Sequence, residues 1–127
     1  MRYTTIDNTA DVIDSRDIIE RIATLKRQSE LDEAGLEVGL DADECAELVA
    51  LETLQEEAEG YAPDWQHGVT LIHDSYFTDY CAEMLEDCGD IPKNLPRYVV
   101  IDWNATARNI RYDYTAVDFD GVTYWVR

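Results

Sequence analysis

The middle of this 127-residue chain has no positively charged side chain. Residues 30–92 contain nineteen Asp and Glu but neither Lys nor Arg, whereas five bases precede this segment and five follow it. A segment of this length normally contains about seven or eight bases. Its helices therefore lack the Glu–Lys pairs that usually support an exposed helix face. The carboxylates must face solvent, pair with the ends of the chain or bind something basic.

The composition is that of one folded domain rather than a disordered acidic tail. The chain is 46% hydrophobic, which supplies a core despite a formal net charge of −18. The charge disfavours direct binding to nucleic acid or to anionic lipid. No apolar run approaches the roughly 18 residues of a membrane span, and Met1 leads into polar sequence, so we expect a soluble intracellular protein.

The hydrophobic periodicity predicts an α+β fold, with acidic helices followed by a small, late antiparallel sheet or hairpin. A first helix is expected from Asp14 or Ser15 to about Gln28, followed by a loop over 29–40. We expect residues 1–29 to form an N-terminal arm and helix, and residues 30–127 to form the acidic part of a single globular domain.

Helix signals continue through the acidic segment. Asp41 and Glu44 have the spacing of a capping box, and the helix they open is expected to end near Gly60. Asp74 or Ser75 is expected to cap the next helix, which ends at Gly89.

The C-terminal part mixes strand and helix signals. The run 69–72 is apolar but ambiguous, and 98–101 is rich in β-forming residues. Asp102 is expected to cap a short helix to about Arg111, and Asp120-Gly121 is a hairpin turn signal.

Acidic side chains recur at helical spacing in both central helices. Carboxylates at i and i+4 are carried by Cβ atoms about 5–6 Å apart, a separation similar to that of neighbouring phosphates of a nucleic acid strand. We therefore expect one continuous acidic surface that imitates the DNA backbone. Its candidate residues are Asp74, Asp79, Glu83, Glu86, Asp87 and Asp90 around the later helix, and Asp43, Glu44, Glu52, Glu56 and Glu59 on the earlier one.

The apolar positions of these helices predict which of their side chains are buried. Residues 77, 80, 81, 84, 85 and 88 form one buried face, and all three cysteines are expected to be reduced and mostly buried. Glu47 interrupts the apolar side of the earlier helix, which predicts partial burial or burial against another subunit. The aromatic residues of 112–125 are expected in the sheet core, and Arg108 and Arg111 in internal ion pairs.

Other chemistry finds little support in the sequence. The run 41–45 begins like a calcium loop but lacks the ligand at its fifth place and the glycine at its sixth. His67, His73, Cys81 and Cys88 lack zinc-ligand spacing, and no nucleophile motif or Gly-rich phosphate loop is present. We therefore expect no catalytic residue, no metal and no cofactor.

The C-terminal half of the chain also contains a series of short motifs in a fixed order. An acidic helix is followed by Ile91-Pro92, Tyr98-Val-Val-Ile101-Asp102, Ala107-Arg108, Asp113-Tyr114 and a closing hairpin with Gly121 and Tyr124. In order and spacing this resembles the C-terminal part of the ArdA antirestriction proteins of phages and conjugative plasmids, over about residues 70–127. The resemblance implies a protein without enzymatic activity that mimics duplex DNA and occupies the DNA-binding groove of type I restriction–modification enzymes.

Together these features predict a DNA-mimic inhibitor of a bacterial defence nuclease, acting in the host cytoplasm. Its expected partner is a basic DNA-binding protein, with no direct contact to nucleic acid or membrane, and a second copy of the chain is a further candidate. Two alternatives remain open. One is the same mimicry directed at a CRISPR effector or another host protein, and the other is an acidic interaction module unrelated to DNA.

Overall fold

The structure is a computed structural model that describes residues 5–33, 35 and 39–127. Within these ranges four α-helices accompany one four-stranded antiparallel sheet, which confirms the α+β class. The strands and helices are β1 (Val12–Asp14), α1 (Ser15–Glu33), α2 (Ala42–Glu59), β2 (Thr70–His73), α3 (Phe77–Asp87), α4 (Trp103–Ile110), β3 (Thr115–Phe119) and β4 (Val122–Val126).

The sheet joins both ends of the described chain, because its strand order is β1-β2-β4-β3. The predicted hairpin is β3–β4, and its turn places Asp120 and Gly121 at φ 51° and 86°. Two positive φ values in a two-residue loop are the geometry for which an Asp-Gly pair is favoured. The ambiguous run at 69–72 is largely strand β2, and it pairs with β1, a strand that was not expected within the N-terminal arm and helix of residues 1–29.

Helices cover both faces of the sheet. Leu71 belongs to the hydrophobic cluster that includes buried residues of α1 and α2, whereas Ile72 belongs to the cluster of α3 and α4. Neighbouring residues of a strand point to opposite faces, so these two clusters lie on opposite sides of β2. In β4, Tyr124 likewise belongs to the cluster of α1 and α2, whereas Trp125 packs against the cluster of α3 and α4. The helix pair α1–α2 therefore packs on one face of the sheet and α3–α4 on the other.

Glu47, which interrupts the apolar face of α2, is paired with a residue of α1 in the same chain. Glu47 is buried, and both its carboxylate oxygens accept hydrogen bonds from the Arg21 guanidinium, at 2.7 and 2.8 Å. The backbone N–H of Ile6 donates to the same carboxylate at 3.0 Å. Partial burial of α2, or burial against another subunit, is thus not needed to explain this residue. α1 supplies the neutralising cation.

Several predicted boundaries hold and others shift. The Asp41–Glu44 capping box is present, and Asp102 caps α4. α1 continues through Glu33, so the predicted loop begins too early; its positions 34 and 36–38 lie outside the described residues. α3 begins at Phe77 after a 3-10 turn over Asp74–Tyr76. That turn is capped by the His73 side chain and not by either predicted residue.

The run 98–101 does not form a strand, despite its composition. It lies between α3 and α4, with Tyr98 87% and Val100 86% exposed. Tyr112, expected in the sheet core, is also exposed.

The predicted burial of the thiols is wrong for two of the three. Cys81 is buried, whereas Cys45 and Cys88 are exposed free cysteines. Cys88 follows the last residue of α3, and on the predicted buried face only Phe77 and Cys81 are fully buried.

Tyr124 anchors the N-terminal segment to the sheet, which gives a pH-dependent contribution to stability. Its hydroxyl donates to the Ala10 carbonyl at 2.6 Å, and burial raises its pKa to about 12, with smaller contributions from Asp7 and Asp11. A raised pKa in the folded state stabilises the fold below the unfolded value near 10, and this stabilisation is lost as pH rises from about 10 to 12. We expect Tyr124→Phe to lower the unfolding free energy by about 1 kcal/mol at neutral pH and to flatten its fall above pH 10. Urea titrations across pH would check this, and an unchanged alkaline slope would contradict it.

Candidate functional site

Helix α3 is held by its apolar face. Phe77 and Cys81 are fully buried against Ile72 of β2 and Ala107 of α4. Arg111 extends this packing, because its guanidinium carbon lies 5.1 Å from the centres of both the Phe77 and Trp125 rings. The expected ion pairs of Arg108 and Arg111 are not among the salt bridges of the described residues, and Arg111 makes cation–π contacts instead.

The opposite face of α3 carries exposed, unpaired carboxylates. We define the α3 stripe as Asp79, Glu83, Glu86 and Asp87 of the helix together with Asp90, which follows its end; all five are exposed. Among the described residues, no Lys or Arg nitrogen lies within 4 Å of any of these carboxylates, because the ion pairs found there involve Asp14, Glu47 and Glu52. Of the possibilities that the sequence left open, pairing with bases from the ends of the chain is therefore not seen for this helix within the described residues.

The α3 stripe is dense along one axis. Asp79 and Asp87 are eight residues apart, which corresponds to about 12 Å of helix at 1.5 Å per residue. Four carboxylates share this length, or about one for every 3–4 Å of axis. Glu86 and Asp87 also lie in the last turn, where the helix dipole opposes negative charge. The arrangement lowers helix stability locally, which is the kind of conflict found at functional surfaces.

Groups from other elements border the stripe. The Tyr76 hydroxyl donates to Glu83 at 3.0 Å, and this bond is the main reason why the pKa of Tyr76 is raised. Asp11 and Asp79 also raise this pKa through their charges, which places Asp11 in the same electrostatic neighbourhood. Asp74 accepts a hydrogen bond from the Trp125 indole at 2.8 Å. Asp11 was missed by sequence reasoning, since only the β1–β2 pairing brings it near Tyr76.

The acidic residues of α2 are arranged differently. Glu52 pairs with Lys26 of α1 at 3.0 Å, and the Glu44 side chain accepts from the Asp41 backbone in the capping box. Asp43, Glu56 and Glu59 are exposed. Because α2 and α3 pack on opposite faces of the sheet, the two sets of carboxylates do not merge. The expectation of one continuous acidic surface formed by both helices is wrong.

The residues considered for metal binding are likewise separated or otherwise engaged. Nδ1 of His73 accepts from the Ser75 backbone at 3.1 Å, and burial raises the pKa of the Cys81 thiol. His67 and Cys88 are exposed on other elements. Across the part of the chain that the structure describes, no three His, Cys, Asp or Glu side chains are grouped so as to hold a metal ion.

Comparison with known proteins identifies no relative of this chain. No family model, no curated protein and no solved structure matches the chain. In the described ranges, no helix is both long enough and apolar enough to cross a bilayer. The candidate site therefore rests on the geometry and charge of α3.

Proposed function

We propose that this protein is a DNA-mimic inhibitor whose α3 stripe occupies the DNA-binding groove of a bacterial defence nuclease. Type I restriction–modification enzymes are the first target class, in keeping with the ArdA-like pattern of residues 70–127. The observation that carries the proposal is the row of exposed carboxylates on α3, which no Lys or Arg of the described residues neutralises.

The charge density of the stripe supports mimicry of one DNA strand. Each strand of duplex DNA carries one phosphate per about 3.4 Å of helix axis. Four of the five carboxylates of the α3 stripe, those between positions 79 and 87, lie within about 12 Å, which is the charge of about three to four phosphates. The imitated length is therefore shorter than the nine to ten base pairs that all nineteen central carboxylates would give. Asp74, which is exposed and precedes α3, adds to this acidic surface.

The charge of the whole molecule supports the mode of association. A net charge of −18 attracts a basic groove at long range and accelerates encounter, and this effect weakens as salt is added. Rigid packing of α3 through Phe77, Cys81 and Arg111 presents the carboxylates without a large cost of ordering the backbone. Inhibition needs no chemistry, because occupation of the groove is enough to exclude DNA.

Competition with DNA is the direct test. We expect the protein to bind a purified type I restriction enzyme, and we expect duplex DNA containing the recognition site to displace it. The apparent inhibition constant should rise in proportion to DNA concentration, and binding should weaken between low and physiological salt. A CRISPR effector tested in parallel distinguishes the two nuclease classes.

The competition experiment also separates mimicry from the alternative. An acidic module unrelated to DNA would bind its partner with an affinity that duplex DNA does not change. That outcome would rule out DNA mimicry however tight the binding proved. Inhibition of the CRISPR effector alone would retain mimicry and replace the target class.

A further inference from the structure

The segment that joins α3 to α4, residues 91–101, forms neither a helix nor a strand, and its positions 92–100 are all exposed. Large apolar side chains are exposed at four of six consecutive positions in it, namely Leu95, Tyr98, Val99 and Val100. The other exposed large apolar residues of the described chain are scattered, at Val12, Val49, Tyr61 and Tyr112. Scattered apolar residues are ordinary on a surface, whereas a contiguous group indicates a contact. We call residues 91–101 the connecting segment.

The packing of α3 on α4 places the connecting segment at one end of the α3 stripe. Arg111, which follows the last residue of α4, lies over the ring of Phe77, the first residue of α3. Because the start of one helix meets the end of the other, the two helices run antiparallel. The last turn of α3 and the first turn of α4 therefore lie at the same end of the pair. The connecting segment joins them there, directly after Asp90 of the stripe.

The charge of the connecting segment is opposite to that of the stripe. Residues 91–101 contain no acid and carry Lys93 and Arg97, on a chain of net charge −18. Duplex DNA is negative along its whole length, so the floor of a DNA-binding groove is basic and would repel these two side chains. The surface that fits this segment is instead apolar and carries acidic groups. It lies beside the phosphate-binding floor and not on it.

The size of the stripe explains why such a second contact is needed. A protein that makes about 6–10 phosphate contacts gains most of its non-specific affinity from them, whereas the stripe supplies the charge of about three to four phosphates. A mimic with fewer charges displaces DNA only if it also makes a contact that DNA does not make. Burial of tyrosine and neighbouring aliphatic side chains is a contact of this kind, and tyrosine is among the residues that contribute most to protein interfaces.

We propose that the connecting segment is the second half of the inhibitory interface and docks on an apolar, acidic rim beside the DNA-binding groove of the nuclease. The α3 stripe supplies attraction that salt weakens, and the connecting segment supplies affinity that salt does not weaken. The segment also supplies selectivity, because a basic protein without such a rim offers a site to the stripe alone. This inference rests on the function proposed for the α3 stripe.

The test is the dependence of Kd on salt, measured with a purified type I restriction enzyme, or with the CRISPR effector if DNA competition has selected that class. For Tyr98→Ser/Val100→Ser we expect Kd to rise about a hundredfold at low and at high salt alike, since apolar burial is not screened. For Asp79→Lys/Glu83→Lys/Glu86→Lys we expect the salt dependence itself to become weaker. Loss of salt dependence in the first variant would contradict the proposed division of roles.

Two further variants control for position and for charge. Tyr112→Ser removes an equally exposed tyrosine, at 84%, which follows α4 and therefore lies at the opposite end of the helix pair; its Kd should be unchanged. Lys93→Glu/Arg97→Glu reverses the charge of the segment and should raise Kd about tenfold against an acidic rim. Tighter binding by this variant would place the segment on the basic floor and overturn the proposal.

The outcomes separate this inference from the proposed function. If DNA displaces the wild type and Tyr98→Ser/Val100→Ser binds as tightly as the wild type, only the role of the connecting segment fails. If DNA does not displace the wild type, mimicry itself fails. Sedimentation of the free protein addresses a second copy as the occupant: a double variant that loses self-association but keeps its nuclease affinity would overturn the proposal. Both replaced side chains are exposed, so an unchanged thermal unfolding curve verifies the fold.

Discussion

Reversing three charges of the α3 stripe should abolish inhibition while leaving the fold intact. In Asp79→Lys/Glu83→Lys/Glu86→Lys we expect the affinity for a basic partner to fall about a thousandfold, at about 1.4 kcal/mol for each reversal. The three side chains are exposed, and among them only Glu83 accepts a hydrogen bond from another side chain, that of Tyr76. The measurement is Kd at fixed salt, with thermal unfolding to verify the fold.

The chain offers a matched control for this variant. Asp43→Lys/Glu56→Lys/Glu59→Lys makes the same change in net charge on α2, across the sheet from α3. If α3 is the contact surface, the control should retain most of the affinity and lose only part of the association rate. Equal losses in the two variants would mean that net charge alone drives binding. Unchanged affinity in the α3 variant would exclude this helix as the contact.

Removing either member of the Arg21–Glu47 pair should destabilise the fold more than any exposed substitution. Arg21→Ala leaves a buried carboxylate without its cation, and Glu47→Ala leaves the guanidinium and the Ile6 N–H without an acceptor. Such a change costs about 3–5 kcal/mol, a large part of the roughly 5–15 kcal/mol that stabilises a domain. Urea unfolding at neutral pH measures the loss.

The exposed pair between the same two helices provides the comparison. Glu52→Ala breaks the contact with Lys26. Because both side chains of this pair are about half exposed, the change should lower the free energy of unfolding by less than about 1 kcal/mol. A double replacement, Arg21→Met/Glu47→Leu, removes both charges and should recover much of the stability lost by either single variant. Similar losses for Glu47→Ala and Glu52→Ala would show that burial of the first pair contributes nothing.

Local signals predicted the elements they control directly. The capping box of α2, the Asp102 cap of α4 and the Asp-Gly hairpin depend on residues within a few positions of each other. Their geometry follows from side-chain and backbone hydrogen bonds inside one turn. The absence of Glu–Lys pairs within α3 was also predictable, since residues 30–92 contain no base. Whether bases from the ends of the chain pair with its carboxylates, as Arg21 pairs with Glu47 of α2, was decided by the tertiary structure.

Contacts between residues far apart in the sequence were not predicted. β1 has three residues, too few for an alternating pattern, and exists because it pairs with β2 almost sixty positions later. Glu47 looked like an interruption of an apolar face because its cation, Arg21, belongs to another helix. The run 98–101 has strand-forming side chains, yet it pairs with neither edge strand of the described sheet, β1 or β3.

The sequence by itself determined the sign and density of charge on each helix, because both are fixed by residue identity and the helical repeat. Only the tertiary structure decided which carboxylates act together. Leu71 and Ile72 point to opposite faces of β2, so α2 and α3 cover different sides of the sheet. The same alternation that builds the two cores separates the acidic residues of α2 from those of α3.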